Sequence, residues 1–471
     1  MSFKVMSVIL LALLTANEFV VASPLRSLED TTLANSAAIG RRSLARSEFR
    51  VAKAESAGFS VFRQQAVAFR EVRQNKVAPH TIPLYTEYTG SPSGRYIDLL
   101  VDREFRDNNS AINNLKDASH VAPIKIGDQS FLGLLDTGSA DTWVLSNEFK
   151  CSSNPECNSL RAKGYKQSST FKLMPEIKLD ASYATFERLQ GIFGKETVTL
   201  GGVTANVTIG IAQKGGWQGS VPGTIGMAFP GDTRAFDKDF NVDTATMLKN
   251  TPYDPVFTSM YKQGLVDPYF SVALNRQNEG PGALALGGLP ATPIRYEDKF
   301  TSAKFEYLIF EDGSYGRAGN TNKEYSLYMI KPQGFSVAGR ELKESVDAIV
   351  DTGSPITYVP EDVATAFNKA WTPAASRDQM SGQWSINCDA VPPPFAFIIN
   401  GTKLFMSPED MAVKGGVNNL PRVRAGKCLS TVQASGLLAA GVHIIGSPFL
   451  KSFVAVFDVG AAEMRFAKRI R

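Results

Sequence analysis

The tetrad Asp-Thr-Gly-Ser occurs twice, as Asp136-Thr137-Gly138-Ser139 in LLDTGSADTWV and as Asp351-Thr352-Gly353-Ser354 in DAIVDTGSPITY, each time at the end of an apolar run. One aspartate on a tight turn is an ordinary cap, and two structural turns are the bland reading of the pair. Capping does not require the same four residues twice. If the two loops face each other, two carboxylates share one site. Like charges that close cannot both ionise, so one proton is held between them and their apparent pKa values separate. Such a pair can hold a water molecule, the charged member taking its proton while the protonated member donates to a carbonyl oxygen. In this scheme Thr137 and Thr352 bond across the seam to the opposite backbone. Gly138 and Gly353 leave room for a substrate backbone to approach. Ser139 and Ser354 donate to the outer carboxylate oxygens, which favours the ionised form.

The elements that must present these loops repeat as well. GTIGMAFP, centred on Gly226, follows Asp136 at about the distance at which HIIGSPF, centred on Gly446, follows Asp351. The chain therefore reads as two related lobes of domain size, each with a strand, a DTGS loop and a crossing apolar-apolar-Gly segment. A length of 471 residues accommodates two such lobes, and 43% hydrophobic with 20% charged residues excludes a disordered chain. Abundant Gly, Pro, Phe, Thr and Val favour strands joined by tight turns, so the expected class is mainly all-β.

The N-terminus, MSFKVMSVILLALLTANEFVVASPL, combines Lys4, an apolar stretch and a small-residue site before Ser23, which predicts a cleaved signal peptide over residues 1–22. Residues 23 to 80 hold twice as many Lys and Arg as Asp and Glu. Behind a signal peptide this basic arm reads as a pro-segment, placed at 23–105 with its end between 76 and 116, rather than as a nucleic-acid or membrane binder. The whole chain carries +4, so the body is near neutral or slightly acidic. The lobes follow as 106–285 and 286–471. No other segment is apolar for the length a bilayer needs, which predicts no membrane anchor.

Export permits disulfides. Of the three possible pairings, the economical one joins Cys151 to Cys157 and Cys388 to Cys428. The cysteine spacing matches no zinc pattern. Sequons stand at Asn108, Asn206 and Asn400. Competing chemistries lack parts: His80, His120 and His443 are the only histidines, and no nucleophile elbow, HExxH or phosphate loop occurs. His443 reads as a satisfied residue near the seam. The stretch from 305 to 325 (FEYLIFEDGSYGRAGNTNKEY) reads as a surface hairpin or loop near the lobe boundary, with a possible share in specificity.

From about Ser119 to Phe466 the chain resembles the pepsin-like aspartic endopeptidases, in the form that fungi secrete. LLDTGSADTWVLS, PVFTSMYKQGLVDPYFSVAL, GALALGGL, AIVDTGSPITYVP and IIGSPFLKSFVAVFD carry the likeness. The resemblance implies a bilobal pepsin-like acid protease fold with pseudo-twofold lobes, a central cleft, a six-stranded sheet beneath it and an N-lobe hairpin flap. It implies Asp136 and Asp351 as catalytic dyad, Thr137 and Thr352 as interlobe grip, and both cysteine pairs as disulfides. The flap tyrosine falls on Tyr183 with Trp143 as its hydrogen-bond partner, although the tip reads Tyr183-Ala184-Thr185-Phe186 where the family has Tyr-Gly-Thr-Gly. Pro355 stands where relatives carry Ser or Thr. Leu134, Tyr183 and Thr224 would line the first pocket.

The same likeness implies a monomeric, secreted, extracellular enzyme, with vacuolar retention as the alternative address. It would cleave polypeptides beside large apolar residues at acidic pH, be blocked by pepstatin-like inhibitors and bind its own pro-segment. It would use no metal or organic cofactor and bind no nucleic acid. Lys76, with Arg70 and Arg73 as rivals, is the candidate for the pro-segment cation facing the dyad. The alternative is a catalytically weak relative that holds peptides in its cleft.

Overall fold

The computed structural model describes residues 76–78, 80–84 and 119–471, apart from 153–159, 161–162, 184–186, 218–220, 246–248, 277–278, 280–281, 292, 311–312, 415–422, 425 and 438–441. Strands dominate, as the turn-rich, β-branched composition predicts. In Val203–Gly215 the first residues alternate buried and exposed, and the run Val207 to Ala212 is then buried throughout. That change marks where this interior strand of an eight-stranded sheet goes from one face in solvent to both faces covered.

The repeat in sequence is a repeat in topology. Gln129–Asp136 ends in the first DTGS loop and pairs in parallel with Gly223–Gly226, which also pairs antiparallel with Trp143–Cys151. In the second half, Ala348–Val350 pairs in parallel with His443–Ile445, which meets Thr357–Val359 antiparallel. In each lobe the late strand thus slots between the two strands that flank the DTGS loop. A Cβ on Gly226 would lie 2.5 Å from the carbonyl carbon of Ala140, and one on Gly446 would lie 2.2 Å from the Ile356 oxygen. The crossing strand passes so close beneath each loop that only glycine fits. Helices are short; Glu361–Lys369, the longest described, follows the second loop with acids in its first turn and Lys369 in its last.

Beneath both lobes runs a six-stranded sheet in the order His80–Leu84, Gly282–Leu286, Tyr269–Ala273, Phe453–Asp458, Glu463–Lys468, Thr301–Lys304. Its centre joins the two halves of the chain, with Phe270 opposite Phe457 and their rings stacked at 4.7 Å. The boundary expected between 285 and 286 falls inside Gly282–Leu286, so no linker separates the lobes there. Two further contacts clamp the halves: the Tyr328 hydroxyl donates to the Met227 carbonyl at 2.7 Å, and Arg276 forks onto buried Asp410 at 3.0 and 2.8 Å.

Within the expected pro-segment, His80–Leu84 is an edge strand of the six-stranded sheet, antiparallel to Gly282–Leu286. Two expectations are corrected. Lys76 does not face the aspartates: it is half exposed and its ammonium pairs with Asp267 at 3.1 Å. Arg70 and Arg73 lie outside the described residues. The stretch 305–325 is a surface loop only in part: Phe305, Tyr307, Leu308 and Phe310 are buried, whereas Gly313, Gly319, Thr321, Asn322 and Lys323 are exposed. Its polar residues, which suggest a surface loop, are spent internally: the Asn320 amide donates to the Tyr315 and Asn322 carbonyls, leaving the apolar side chains to pack inward.

Cys388 and Cys428 form a disulfide, and Cys151 is also disulfide-bonded; Cys157 lies outside the described residues. Asn206 and Asn400 are exposed, the latter in a tight turn with φ 47°, and Asn108 is outside the described residues. Among the described residues no helix is long and apolar enough to cross a membrane.

Candidate active site

The two DTGS loops meet at the seam between the lobes. Thr137 donates its hydroxyl to the Val350 carbonyl at 2.9 Å, and Thr352 donates to the Leu135 carbonyl at 2.8 Å. Each hydroxyl also accepts the other threonine's backbone N–H, at 3.1 and 2.9 Å. Both threonines are fully buried, so these four bonds run without competition from water.

The glycines have a further use within the pair of loops. A Cβ on Gly138 would lie 2.5 Å from Asp351 Cγ, and one on Gly353 would lie 2.5 Å from Asp136 Oδ1. The space a side chain would need is occupied by the carboxylate of the opposite lobe. Each glycine N–H also binds the aspartate of its own loop, Gly138 to Asp136 Oδ1 at 2.9 Å and Gly353 to Asp351 Oδ1 at 2.7 Å.

The two carboxyl groups differ electrostatically. Burial raises the pKa of Asp136, while the Ser139 hydroxyl, donating to Oδ2 at 2.5 Å, and the Gly138 N–H hold it down. Asp351 is pushed well above the usual carboxylate range, first by burial and then by the charge of Asp136, with only the backbone N–H groups of Gly353 and Ser354 opposing. The pair therefore holds a shared proton, and Asp136 is the member whose ionised form has the extra hydroxyl donor.

Ser354 departs from its expected role. Its hydroxyl donates to the Ile356 carbonyl at 2.8 Å rather than to Asp351. Pro355, with its fixed φ, lies between them, and the tight Ser-Pro-Ile turn brings that carbonyl within the hydroxyl's reach. Replacing Ser139 by Ala should raise the acid limb of the kcat/KM profile by about one pH unit, the worth of a hydrogen bond to a charged group. Ser354→Ala should leave the alkaline limb in place. Parallel pH–rate profiles of the two variants test this, and equal shifts would contradict the asymmetry.

Tyr183 stands at the end of the hairpin formed by Lys172–Ser182 and Arg188–Leu200. The Trp143 indole N–H donates to its hydroxyl at 2.5 Å. Trp217, which no sequence signal singles out, packs edge-on against Trp143 at 4.8 Å. The hairpin is braced where Arg188 forks onto Asp180 at 2.6 Å and reaches Asp243, also at 2.6 Å. Ala184, Thr185 and Phe186 lie outside the described residues. Leu134, Thr224 and Trp143 are cross-strand partners, and Leu134 is two residues from Asp136, so all three share the sheet face that carries that aspartate. Leu134 is partly exposed, whereas Thr224 is buried.

Behind the first loop lie two more buried carboxylates that the sequence does not announce. Asp141 accepts from the Tyr253 hydroxyl and the Arg234 backbone N–H, both at 2.7 Å, and burial lifts it to about 6. Asp232 meets Arg234 at 3.0 Å, yet burial together with the charges of Asp141 and Asp136 lifts it to about 7. His443 is not satisfied as expected: Nδ1 is buried with no partner among the described residues, and burial lowers the ring to about 4.

A family model described as eukaryotic aspartyl protease matches residues 119–469, which span both lobes and both loops. The chain belongs to the eukaryotic aspartyl protease family. It is an aspartic-type endopeptidase, a hydrolase of peptide bonds. A probable aspartic-type endopeptidase of Aspergillus fumigatus is 34% identical over 360 residues, covering 73% of this protease and 77% of the relative. Aspergillopepsin-1 of Aspergillus clavatus is 25% identical, with 74% and 79% covered, and mucorpepsin of Rhizomucor pusillus 27%, with 74% and 78%.

Proposed function

We propose that the protease is a secreted endopeptidase, made as a zymogen, that cuts polypeptides at acidic pH with Asp136 and Asp351 sharing one water. The observation that carries this reading is the mutual fit of the loops, in which each carboxylate fills the space left by the opposite glycine and both are locked by the threonines. Asp136, the charged member, takes a proton from the water as its oxygen attacks the scissile carbonyl carbon. Asp351 gives its proton to the carbonyl oxygen, producing a neutral tetrahedral diol. Collapse of the diol returns a proton to Asp351, breaks the C–N bond and moves the proton on Asp136 to the leaving amine. Preorganised N–H and O–H donors hold the ionised carboxylate without reorganisation. Tyr183, steadied by Trp143, closes over the substrate, and the row of Leu134 and Thr224 receives a large apolar side chain next to the cut. The pro-segment is held in part by ion pairs such as that of Lys76 with Asp267, which weaken as carboxylates protonate.

The test is cleavage of denatured haemoglobin by the purified zymogen from about pH 2 to about pH 7, with and without pepstatin. Acid-dependent cleavage that pepstatin abolishes is the expected result. A chain that sheds residues 23–105 and still cuts at no pH would instead hold peptides without hydrolysing them.

A further inference from the structure

The two lobes repeat each other around the aspartates, but the surroundings of the residue two positions before each aspartate do not match. Leu134, before Asp136, is partly exposed. Ile349, before Asp351, is only 5% exposed. Both side chains lie on the sheet face that carries the neighbouring aspartate, because side chains two apart on a strand point the same way. The difference therefore comes from what covers Ile349. That residue is in one apolar cluster with its cross-strand partner Met329, with Leu308, Phe310 and Ala318 from the stretch 305–325, and with Ala140 from the first DTGS loop. Nothing comparable in sequence precedes Leu134.

The stretch is tied to itself by hydrogen bonds and ring contacts. Leu308 and Phe310 accept N–H bonds from Gly316 at 2.8 Å and Gly313 at 2.9 Å, and the Phe310 N–H donates to Ser314 at 2.9 Å. Tyr307 stacks on Tyr325 at 4.5 Å, and the Lys323 ammonium lies 5.9 Å from the Tyr307 ring centre. Aromatic stacking and internal hydrogen bonds together fix a small, rigid unit.

We propose that residues 305–325 determine specificity by occupying part of the pocket on the Asp351 side, so that this pocket takes only small side chains while the Asp136 side remains open to large apolar ones. This deepens, and rests on, the reading of the cleft as the place where a peptide binds. Phe310 and Leu308 supply the filling volume. Steric exclusion of this kind makes the preference a repulsive one, which truncating the wall should relax.

Two matched pairs of peptides test it, differing only in whether Ala or Phe occupies the residue bound on the Asp351 side. One pair has a normal scissile bond and is read by kcat/KM. The other has a non-cleavable reduced amide and is read by calorimetric binding, which needs no turnover. Wild type should favour Ala over Phe by about tenfold or more in both readouts, as expected for a side chain several methylenes too large. In Phe310→Ala the ratio should fall to near one or reverse, with Leu308→Ala intermediate. Near-UV circular dichroism and a thermal melt check folding, and Phe310→Leu serves if the alanine variant is unfolded, with a smaller loss of the ratio expected. A wild type that accepts Phe as readily as Ala, or variants with an unchanged ratio, would overturn the proposal. Binding with the expected ratio but without cleavage would support the pocket and refute the catalytic reading instead.

Discussion

Asp136→Asn and Asp351→Asn are each expected to lower kcat/KM by about 10³ to 10⁴-fold, the range for losing a positioned acid or base. Asparagine preserves the shape of the carboxyl group and can still accept the N–H of Gly138 or Gly353. It can neither take the proton of the water nor hold the shared one. The same change should make the protein more stable near neutrality. Asp136 is buried and Asp351 partly so, and loss of hydration raises the pKa of both, so a charge forced on the pair costs folding free energy that a neutral amide does not. Loss of activity with a raised Tm at neutral pH separates loss of chemistry from loss of fold. A variant that keeps more than a tenth of its activity, or melts earlier at every pH, would contradict the assignment.

Stability itself should fall as the pH rises. Asp136, Asp141, Asp232 and Asp351 all have folded-state pKa values above the ordinary value of 3.8. The folded protein then binds protons that the unfolded chain has released, so their stabilising effect is complete below about pH 4 and lost as pH climbs through each folded value. For Asp141, a rise from 3.8 to about 6 corresponds to roughly 3 kcal/mol. Asp232, lifted to about 7, extends the loss toward neutrality, although the two feel each other's charge and do not simply add. Differential scanning calorimetry between about pH 4 and pH 7 should show a falling Tm. Asp141→Asn should flatten the decline below about pH 6, since its remaining partners, Tyr253 and the Arg234 N–H, need only an acceptor. A Tm that is flat or rises over that interval would count against this account.

Local identity made the loops and the fold class legible in the sequence. Two copies of DTGS, each with a crossing glycine segment, imply two lobes, and the structure gives both copies the same strand arrangement. What remained hidden depends on contacts between distant segments. The burial of 305–325 rests on apolar side chains that meet Ala140 and Ile349, while the Gly and Asn residues that dominate its appearance only tie the stretch to itself. The orientation of the Ser354 hydroxyl turns on the backbone path past Pro355, which the motif does not contain. Asp141 follows the first motif directly, but a charged residue there looks solvated until Tyr253 and Arg234 arrive from a hundred residues away. His80–Leu84 follows a basic stretch, and nothing in HTIPL itself announces its five-residue match to the sheet edge.

The threonine bonds have a mechanical meaning as well as a chemical one. They are short, buried and reciprocal, and they join the loops at one point between the lobes. A rocking motion that widens the cleft while keeping them intact must turn about an axis through that point. Displacement in a rotation grows with distance from the axis, so the outer walls of the cleft travel far while the adjacent aspartates hardly move. Any such rocking would leave the two carboxyl groups at the pivot, where their spacing changes least.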